Sequence, residues 1–281
     1  MKVLVTGATS MIGDFLLPIL VQAGYEVIAT SRKPHASQPG VSWIVADLNS
    51  QGWISDMEEV DCWVNFASLA YVPKLLPDAA QKLKLKRMIA FGSTSMFTKT
   101  DARGEQDRGL AISLSENEKL IEKICEEKGV HWTILRPTLI YHLGRDKNIT
   151  LIDEKIRQFS IFPLVGSGEG LRQPVHAEDL ALACVKLLES GEGLNRTYNL
   201  SGGEVLSYRS MVARLFEKRG MKPRFIHIPL WLLRSIIYLL RVFPRYRYLT
   251  ADMADRMQRD MVFSYDDASR DFGFSPRKFT P

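Results

Sequence analysis

Short apolar runs and longer amphipathic segments alternate along the first half of the chain. Residues 11–23 and 113–128 have helical spacing; the second segment would be opened by Ser113 or Ser115 and ended by Gly129. Six apolar runs predict buried strands: KVLVT, EVIAT, SWIVA, DCWVNFA, RMIAFG and HWTILRP. Strands and helices that alternate at this spacing predict an α/β fold, a doubly wound parallel sheet with helices on both faces.

The pattern changes after Pro137. Glycine, proline and short elements fill residues 141–176, and further helices are predicted at 178–189, 207–219 and 229–241. We therefore expect a sheet domain at residues 1–140, which also takes in parts of 170–200. Residues 141–281 would form a smaller, mostly helical portion that binds substrate.

Composition narrows the function classes. The chain has 281 residues, 46% of them hydrophobic, and 37 basic against 32 acidic residues give a net charge of +5. That balance suits an anionic ligand or a membrane surface. We expect no nucleic-acid partner, because no zinc-finger, RNP or helix-turn-helix pattern is present. Cys62, Cys125 and Cys184 are far apart and predict buried thiols without a metal site. The sequence has neither a signal-peptide pattern nor an uncharged apolar run of membrane-spanning length, so we expect a cytoplasmic protein.

The stretch TGATSMIG, residues 6–13, follows the first predicted strand and opens a helix. In such a turn Gly7 permits a tight bend, and Gly13 permits close packing of helix and strand. Ser10 stands where a middle glycine is usual, and its hydroxyl can donate to a phosphate. The helix N-terminus beside it attracts a pyrophosphate. The alternative is an ordinary strand–helix turn.

Five more motifs follow this turn in order: DL at 47–48, NFAS at 65–68, GSTSMF at 92–97, WTILRPTLIY at 132–141 and RQPVHAEDLA at 172–181. From Lys2 to about Phe274 the chain thus resembles the extended and atypical short-chain dehydrogenase/reductases, specifically the nucleotide-sugar epimerase-like NAD-dependent epimerase/dehydratase family. The resemblance implies a Rossmann-type fold. The cofactor-binding residues that it implies are Gly7, Thr9, Ser10, Met11, Ile12, Gly13, Ser31, Arg32, Lys33, Asp47, Leu48, Phe66, Ala67, Ser68 and Pro137.

The end of the second strand indicates which dinucleotide binds. Members that prefer NAD usually carry an acidic residue there, which binds the ribose 2′-hydroxyl. This chain has Ser31, Arg32 and Lys33 instead. Because Arg32 can hold a 2′-phosphate with two hydrogen bonds, we expect NADP(H) in preference to NAD(H). A solvated basic loop is the alternative.

The resemblance implies a catalytic Ser or Thr together with a Tyr–Lys pair four residues apart on one helix. Ser93 occupies the first position, and Thr94 and Ser95 are nearby alternatives. Leu114 and Glu118 align with the Tyr and the Lys, and a shift of one residue gives Ser115 and Lys119. The proton would then come from Glu118, from Tyr141 or from a bound water. The alternatives are a solvated helix face for Glu118 and a structural role for Tyr141.

On the substrate side, the resemblance places Arg172 at a diphosphate-binding position and Arg256 at a weaker second one. Ser95 and Arg145 are further candidates, the latter for an anionic group. Salt bridges within the fold are the alternative for Arg172 and Arg256.

Residues 229–249, PLWLLRSIIYLLRVFPRYRYL, are apolar and rich in arginine. They form either a core helix or a segment in the membrane interface, with Arg245 and Arg247 at the headgroups. In the second case the protein would associate with the inner face of a membrane, and a lipid-linked sugar would be a plausible substrate.

These features predict an NAD(P)-dependent oxidoreductase or epimerase. Its substrate would be a nucleotide- or lipid-diphosphate sugar, or a similar alcohol or ketone. The alternative is a non-catalytic NADP(H)-binding sensor, scaffold or assembly protein. The predicted helix at 113–128 carries many charges, so a monomer and a homodimer both remain open.

Overall fold

The computed structural model of the chain describes residues 1–100, 104–240 and 258–281. Its strands are β1 (Lys2–Thr6), β2 (Glu26–Ser31), β3 (Val41–Val45), β4 (Cys62–Asn65), β5 (Arg87–Phe91), β6 (His131–Pro137), β7 (Ile140–Tyr141), β8 (Phe162–Val165), β9 (Leu171–Arg172), β10 (Val175–His176), β11 (Arg196–Leu200), β12 (Leu206–Ser207) and β13 (Phe225–Ile228). Its helices are α1 (Gly13–Gln22), α2 (Gly52–Ser55), α3 (Val72–Lys82), α4 (Ser95–Thr98), α5 (Glu105–Lys128), α6 (Ile149–Phe159), α7 (Ala177–Ser190), α8 (Tyr208–Lys218), α9 (Leu230–Leu240) and α10 (Asp266–Phe272).

A seven-stranded sheet forms the centre of the molecule, in the order β11-β6-β5-β4-β1-β2-β3. Every neighbouring pair in it is parallel. The predicted doubly wound Rossmann-type fold is thereby confirmed. The chain runs outwards from β1 through β2 to β3 and then crosses to β4 on the other side of β1. The strand order therefore reverses at β1, and a crevice opens at the carboxyl ends of β1 and its neighbours.

The central predicted strands are buried because their side chains enter a core on each face of the sheet, whereas SWIVA forms the edge strand β3 and is half-buried or exposed. Val3 and Val5 point into one core, which α1 and α7 cover. Leu4, between them, points into the other core, beside Trp63 and the inner side chains of α3 and α5. Fully burying a side chain of this size stabilises the fold by about 1.5–3 kcal/mol.

Helix α5 begins at Glu105, not at Ser113 or Ser115, so the predicted start was wrong. Glu105 and Asp107 lie in its first turn, where acidic residues interact favourably with the helix dipole. Asp107 also forms a 2.8 Å ion pair with Lys99. The predicted end is confirmed, since Gly129 closes the helix in the left-handed conformation, with φ +66°.

The rest of the described chain is split between two places. Strand β11 extends the large sheet beside β6, and α7 packs on the α1 face. Helices α6 and α8 pack against the ribbon of β8 and β13 and enclose a separate small core. Among the described residues no helix combines the length and the apolar character that crossing a membrane requires. All three cysteines are buried free thiols, as expected.

Candidate active site at the carboxyl ends of the strands

The glycine turn between β1 and α1 leaves no room for side chains at its two glycines. Gly7 has φ +69°, and a Cβ there would lie 2.6 Å from the backbone nitrogen of Ala67, just after β4. A Cβ on Gly13 would lie 2.0 Å from the carbonyl oxygen of Ala8. The backbone is therefore close-packed where the resemblance implies a pyrophosphate, and a phosphate can approach the amides at the start of α1.

Ser10 keeps this turn in shape without a middle glycine. Its backbone N–H donates to the Gly7 carbonyl at 3.0 Å, and its hydroxyl oxygen accepts from the N–H of Gly13 at 3.2 Å. Because the hydroxyl acts there as an acceptor, its own proton remains available to a phosphate oxygen.

A cleft of about 390 Å³ opens beside the turn, between the carboxyl ends of β1, β2 and β4. Nine of the proposed cofactor residues line it: Gly7, Thr9, Ser10, Ser31, Arg32, Asp47, Leu48, Phe66 and Ala67. Sequence reasoning missed Thr30, Ala46, Asn49 and Tyr71, although each is a near neighbour of a residue that it named. Of the others, Met11, Ile12 and Gly13 belong to the turn, Lys33 and Ser68 are exposed beyond their strands, and Pro137 ends β6.

Asp47 and Arg32, the two charged residues that line the cleft, differ in their hydrogen bonding and exposure. Asp47 accepts hydrogen bonds from the backbone and side-chain nitrogens of Asn49, at 2.9 and 3.0 Å. These bonds, together with the nearby charge of Arg32, lower the pKa of the Asp47 carboxyl. Arg32 is exposed directly after Ser31, the last residue of β2. The end of β2 therefore presents a hydroxyl and a cation, the groups that suit an added phosphate.

Ser93 and Thr94 follow β5 and have different partners. The Ser93 hydroxyl accepts from the backbone N–H of Ser95 at 3.1 Å, which keeps its proton available. The Thr94 hydroxyl donates to the carbonyl oxygen of Pro137 at 3.1 Å and is buried. Of these two hydroxyls, that of Ser93 keeps its proton available for another acceptor, whereas that of Thr94 has donated its own.

Glu118 forms a buried ion pair with Arg136, at the end of β6. Its Oε2 accepts from Nε and Nη2 of Arg136 at 2.9 and 2.5 Å. Its Oε1 has no hydrogen-bond partner and lies against Gly92, where a Cβ would come within 2.3 Å of it. Only 2% of Glu118 is exposed, so the solvated helix face is wrong. One turn earlier, Leu114 packs against the apolar core.

The Glu118–Arg136 pair places a cation between Gly92 and Phe97, in the segment that contains Ser93. The Arg136 side chain passes Gly92, the residue before Ser93, and its guanidinium lies 5.4 Å from the centroid of the Phe97 ring. Since the carboxylate is committed to this guanidinium, Glu118 is better suited to positioning Arg136 than to releasing a proton.

Tyr141 lies inside the C-terminal packing. Its hydroxyl is 3.3 Å from the Thr280 nitrogen and 3.4 Å from the Thr280 carbonyl oxygen, and its ring contacts His176 and Phe279. Burial raises its pKa, and 1% of the residue is exposed. This placement argues against the proton-donor role and favours a structural one.

The substrate candidates do not come together in one place. Arg145 pairs with Asp14 at 2.7 Å and donates to the Thr9 carbonyl at 3.3 Å, so it lies on the glycine turn. Arg172 is buried and donates to the carbonyls of Leu171 and Arg259, both at 2.8 Å. Ser95 begins α4, beside Ser93. Arg256 lies outside the described residues, as do positions 241–249 of the apolar segment.

Solved structures share this architecture over nearly the whole chain. A UDP-glucose 4-epimerase from Thermotoga maritima, solved with UDP-glucose, matches with a TM-score of 0.75 and 17% identity over 98% of this chain and 94% of that one. A dTDP-glucose 4,6-dehydratase from Bacillus anthracis, solved with NAD, matches with a TM-score of 0.74 and 14% identity over 98% and 91%. At these identities the likeness shows the fold alone.

Relatives in sequence carry varied names. The chloroplast stem-loop binding protein of 41 kDa b from Arabidopsis thaliana is 26% identical over 80% of this chain. A chloroplastic divinyl chlorophyllide a 8-vinyl-reductase from Cucumis sativus is 22% identical over 86%. The chain spans 65% and 64% of the lengths of these two proteins.

The sequence profile of the NAD dependent epimerase/dehydratase family matches residues 3–201, from β1 through the end of β11. That range contains the glycine turn, Ser93 and the Glu118–Arg136 pair. The chain therefore belongs to the NAD-dependent epimerase/dehydratase family.

Proposed function

We propose that the chain binds NADP(H) and acts as an oxidoreductase on a carbonyl or hydroxyl group of a small anionic substrate. The observation that carries the proposal is the cleft beside the glycine turn, with Ser31 and Arg32 at the end of β2. Gly7 and Gly13 would admit the pyrophosphate to the start of α1, and Arg32 would hold the 2′-phosphate.

The preference for NADP(H) rests on local charge. No acidic side chain follows β2, and the carboxylate of Asp47 is already bonded to Asn49. The T. maritima and B. anthracis folds belong to the same architecture, and the latter was solved with NAD. The support for NADP(H) in this chain therefore comes from Ser31 and Arg32 at the end of its own β2.

When bound, NADP(H) supplies or accepts a hydride. The chain's own contribution would come from Ser93 and Arg136. Ser93 would donate a hydrogen bond to the substrate oxygen, and Arg136 would stabilise negative charge on that oxygen. Glu118 would hold Arg136 in place. The proton would come from bound water, because Glu118 is committed to an ion pair and Tyr141 is buried.

For the substrate we propose a diphosphate sugar or a similar ketone or alcohol. The support is the family and the UDP-glucose and dTDP-glucose enzymes among its structural neighbours. Arg172 would contribute to diphosphate binding only if its guanidinium left the Leu171 and Arg259 carbonyls.

The test is NADPH oxidation with a panel of UDP- and dTDP-linked keto sugars and simpler ketones. We expect turnover with at least one member, and a fall in kcat of about 100-fold for Ser93→Ala at unchanged NADPH affinity. Ser190→Ala, far away at the end of α7, is the control. Equal losses of turnover and of NADPH affinity in Ser93→Ala would contradict the role of Ser93.

A second candidate is a non-catalytic NADP(H)-binding protein. Leu114 and Glu118, at the positions aligned with the family's Tyr and Lys, favour it, because neither supplies a phenol or an ammonium group. Tight NADPH binding without turnover across the panel would support this candidate.

A further inference from the structure

Exposed apolar side chains of the substrate portion lie along the β8–β13 ribbon and on helix α9, which follows β13 after one residue, and together they are called the apolar face. On and beside the ribbon the exposed side chains are Ile161, just before β8, at 37%, and Ile226, on β13, at 51%. On α9 they are Trp231 at 68%, Leu232 at 38%, Tyr238 at 78% and Leu239 at 66%. We propose that this apolar face docks on the surface of an anionic phospholipid membrane.

The ribbon turns two different sides to its surroundings. Phe162 lies in the small core that α6 and α8 enclose, Phe225 packs against that core, and Leu164 is fully buried. Pro163 and Ile226, which are paired across the two strands, are exposed on the other side. Because side chains alternate along a strand, the outer side of the ribbon is apolar and the inner side is already occupied.

Helix α9 continues the apolar face. Trp231 and Tyr238 are seven residues apart, as are Leu232 and Leu239, so the four side chains form one stripe along two helical turns. A stripe on the surface of a globular protein is normally polar, and here it is apolar. Trp and Tyr are the residues that favour a boundary between apolar and aqueous phases, because their rings are apolar and carry a polar group.

The charge around this face indicates its partner. Residues 218–240 contain five basic and no acidic side chains. Lys222 and Arg224 are exposed, and the Arg224 carbonyl accepts from the Phe162 N–H at 2.9 Å, which places Arg224 beside Ile161. An apolar stripe with a cationic border matches acyl chains beneath anionic headgroups. Two copies joined through this face would bring like charges together, which disfavours self-association.

The geometry suits contact with a bilayer surface rather than insertion across it. Within the described residues helix α9 spans 11 residues, about half of what a spanning helix needs. This inference does not depend on the proposed redox function, since vesicle binding can be measured without a dinucleotide.

The test is co-sedimentation of the purified full chain with vesicles of phosphatidylglycerol and phosphatidylcholine. We expect binding that weakens with added salt and is lost on vesicles of phosphatidylcholine alone. Leu239→Glu should lower the partition coefficient for the vesicles by about tenfold or more, because it places a charge where Leu239 would be buried among acyl chains. Leu182→Glu changes a 39%-exposed leucine on α7 in the same way and should bind like the wild type. Lys222→Glu with Arg224→Glu should weaken binding at low salt by about fivefold or more for each charge.

Bromine-labelled lipids locate the contact. Tryptophan fluorescence should be quenched on binding, and Trp231→Phe should still bind while most of the quenching disappears. Equal binding of wild type and Leu239→Glu, or no binding to anionic vesicles, would overturn the proposal. A wild-type dimer in light scattering that becomes a monomer in Leu239→Glu would also overturn it, because a second copy would then cover the face.

Discussion

At the residue scale, two side-chain interactions define the geometry of the candidate site, one within the glycine turn and one between Glu118 and Arg136. Ser10 accepts from Gly13 and so keeps the glycine turn intact without the middle glycine. Arg136 is held by Glu118 near Gly92, the residue before Ser93. The glycine turn can be predicted from the sequence, since its residues are adjacent. The Glu118–Arg136 ion pair cannot be predicted in this way, because its members are 18 residues apart and meet only when α5 packs over β6.

Glu118→Gln should destabilise the protein by about 3 kcal/mol, because it leaves the Arg136 charge largely buried without its counter-ion. The measurement is urea unfolding followed by circular dichroism. Glu126→Gln, an exposed change on the same helix, should shift the free energy of unfolding by less than about 0.5 kcal/mol. Similar losses in both variants would mean that the pair contributes nothing specific.

At the element scale, the pattern of apolar runs predicts the sheet well and the helix ends less well. Each central strand is continuous and apolar because both of its faces are covered, and that signal is local. The predicted start of α5 was too late for two reasons. Ser113 and Ser115 have the side chains of cap residues, and Gly109, which precedes them, is of the residue type with the lowest helix propensity after proline. Acidic residues in the first turn and the Lys99 ion pair stabilise the additional turns, and the ion pair is not visible in a local pattern.

Gly109→Ala tests the observed start of α5. A Cβ at Gly109 would meet nothing within 4 Å, and the position lies inside the helix. Alanine should therefore stabilise the fold by about 0.5–1 kcal/mol in thermal or urea unfolding. No gain would indicate that the helix begins near Ser113.

His176 makes the N-terminus of α7 sensitive to pH. Its Nδ1 accepts from the Glu178 N–H at 3.3 Å, which requires an unprotonated nitrogen. Burial, and then the charge of Arg277, lower the pKa of His176 below its usual 6.5. The unfolded chain thus takes up this proton first as pH falls, so the stability contributed by the neutral His176 is present above pH 6.5 and declines below it.

The variant His176→Asn should remove this pH dependence while keeping a good N-cap. Melting temperatures measured from pH 7.5 to 5 should fall more in the wild type than in the variant, by the equivalent of no more than about 1–2 kcal/mol. Parallel curves would show that His176 does not titrate in this range.

At the scale of the whole molecule, the two portions meet at the glycine turn. Arg145, from the segment after β7, neutralises Asp14 in the first turn of α1 and contacts Thr9. Asp14 is a carboxylate near the position proposed for a pyrophosphate. If the pyrophosphate binds as proposed, neutralisation of Asp14 by Arg145 would strengthen its binding.

Arg145→Gln should weaken dinucleotide binding by about three- to fivefold, a modest effect because both side chains are partly solvated. Adding Asp14→Asn should restore most of the loss, since the repelling charge is then absent. Isothermal titration calorimetry on the four proteins of this double-mutant cycle measures the coupling. Additive losses would place Arg145 in direct contact with the ligand instead.

Binding of NADP(H) in the cleft beside the glycine turn is tested by titrating the purified protein with NADPH and NADH and following its tryptophan fluorescence. We predict micromolar binding of NADPH, about tenfold or more weaker binding of NADH, and loss of that difference in Arg32→Ala at unchanged NADH affinity. Binding of neither nucleotide would contradict a dinucleotide site in this cleft, and tighter binding of NADH would contradict the preference for NADP(H).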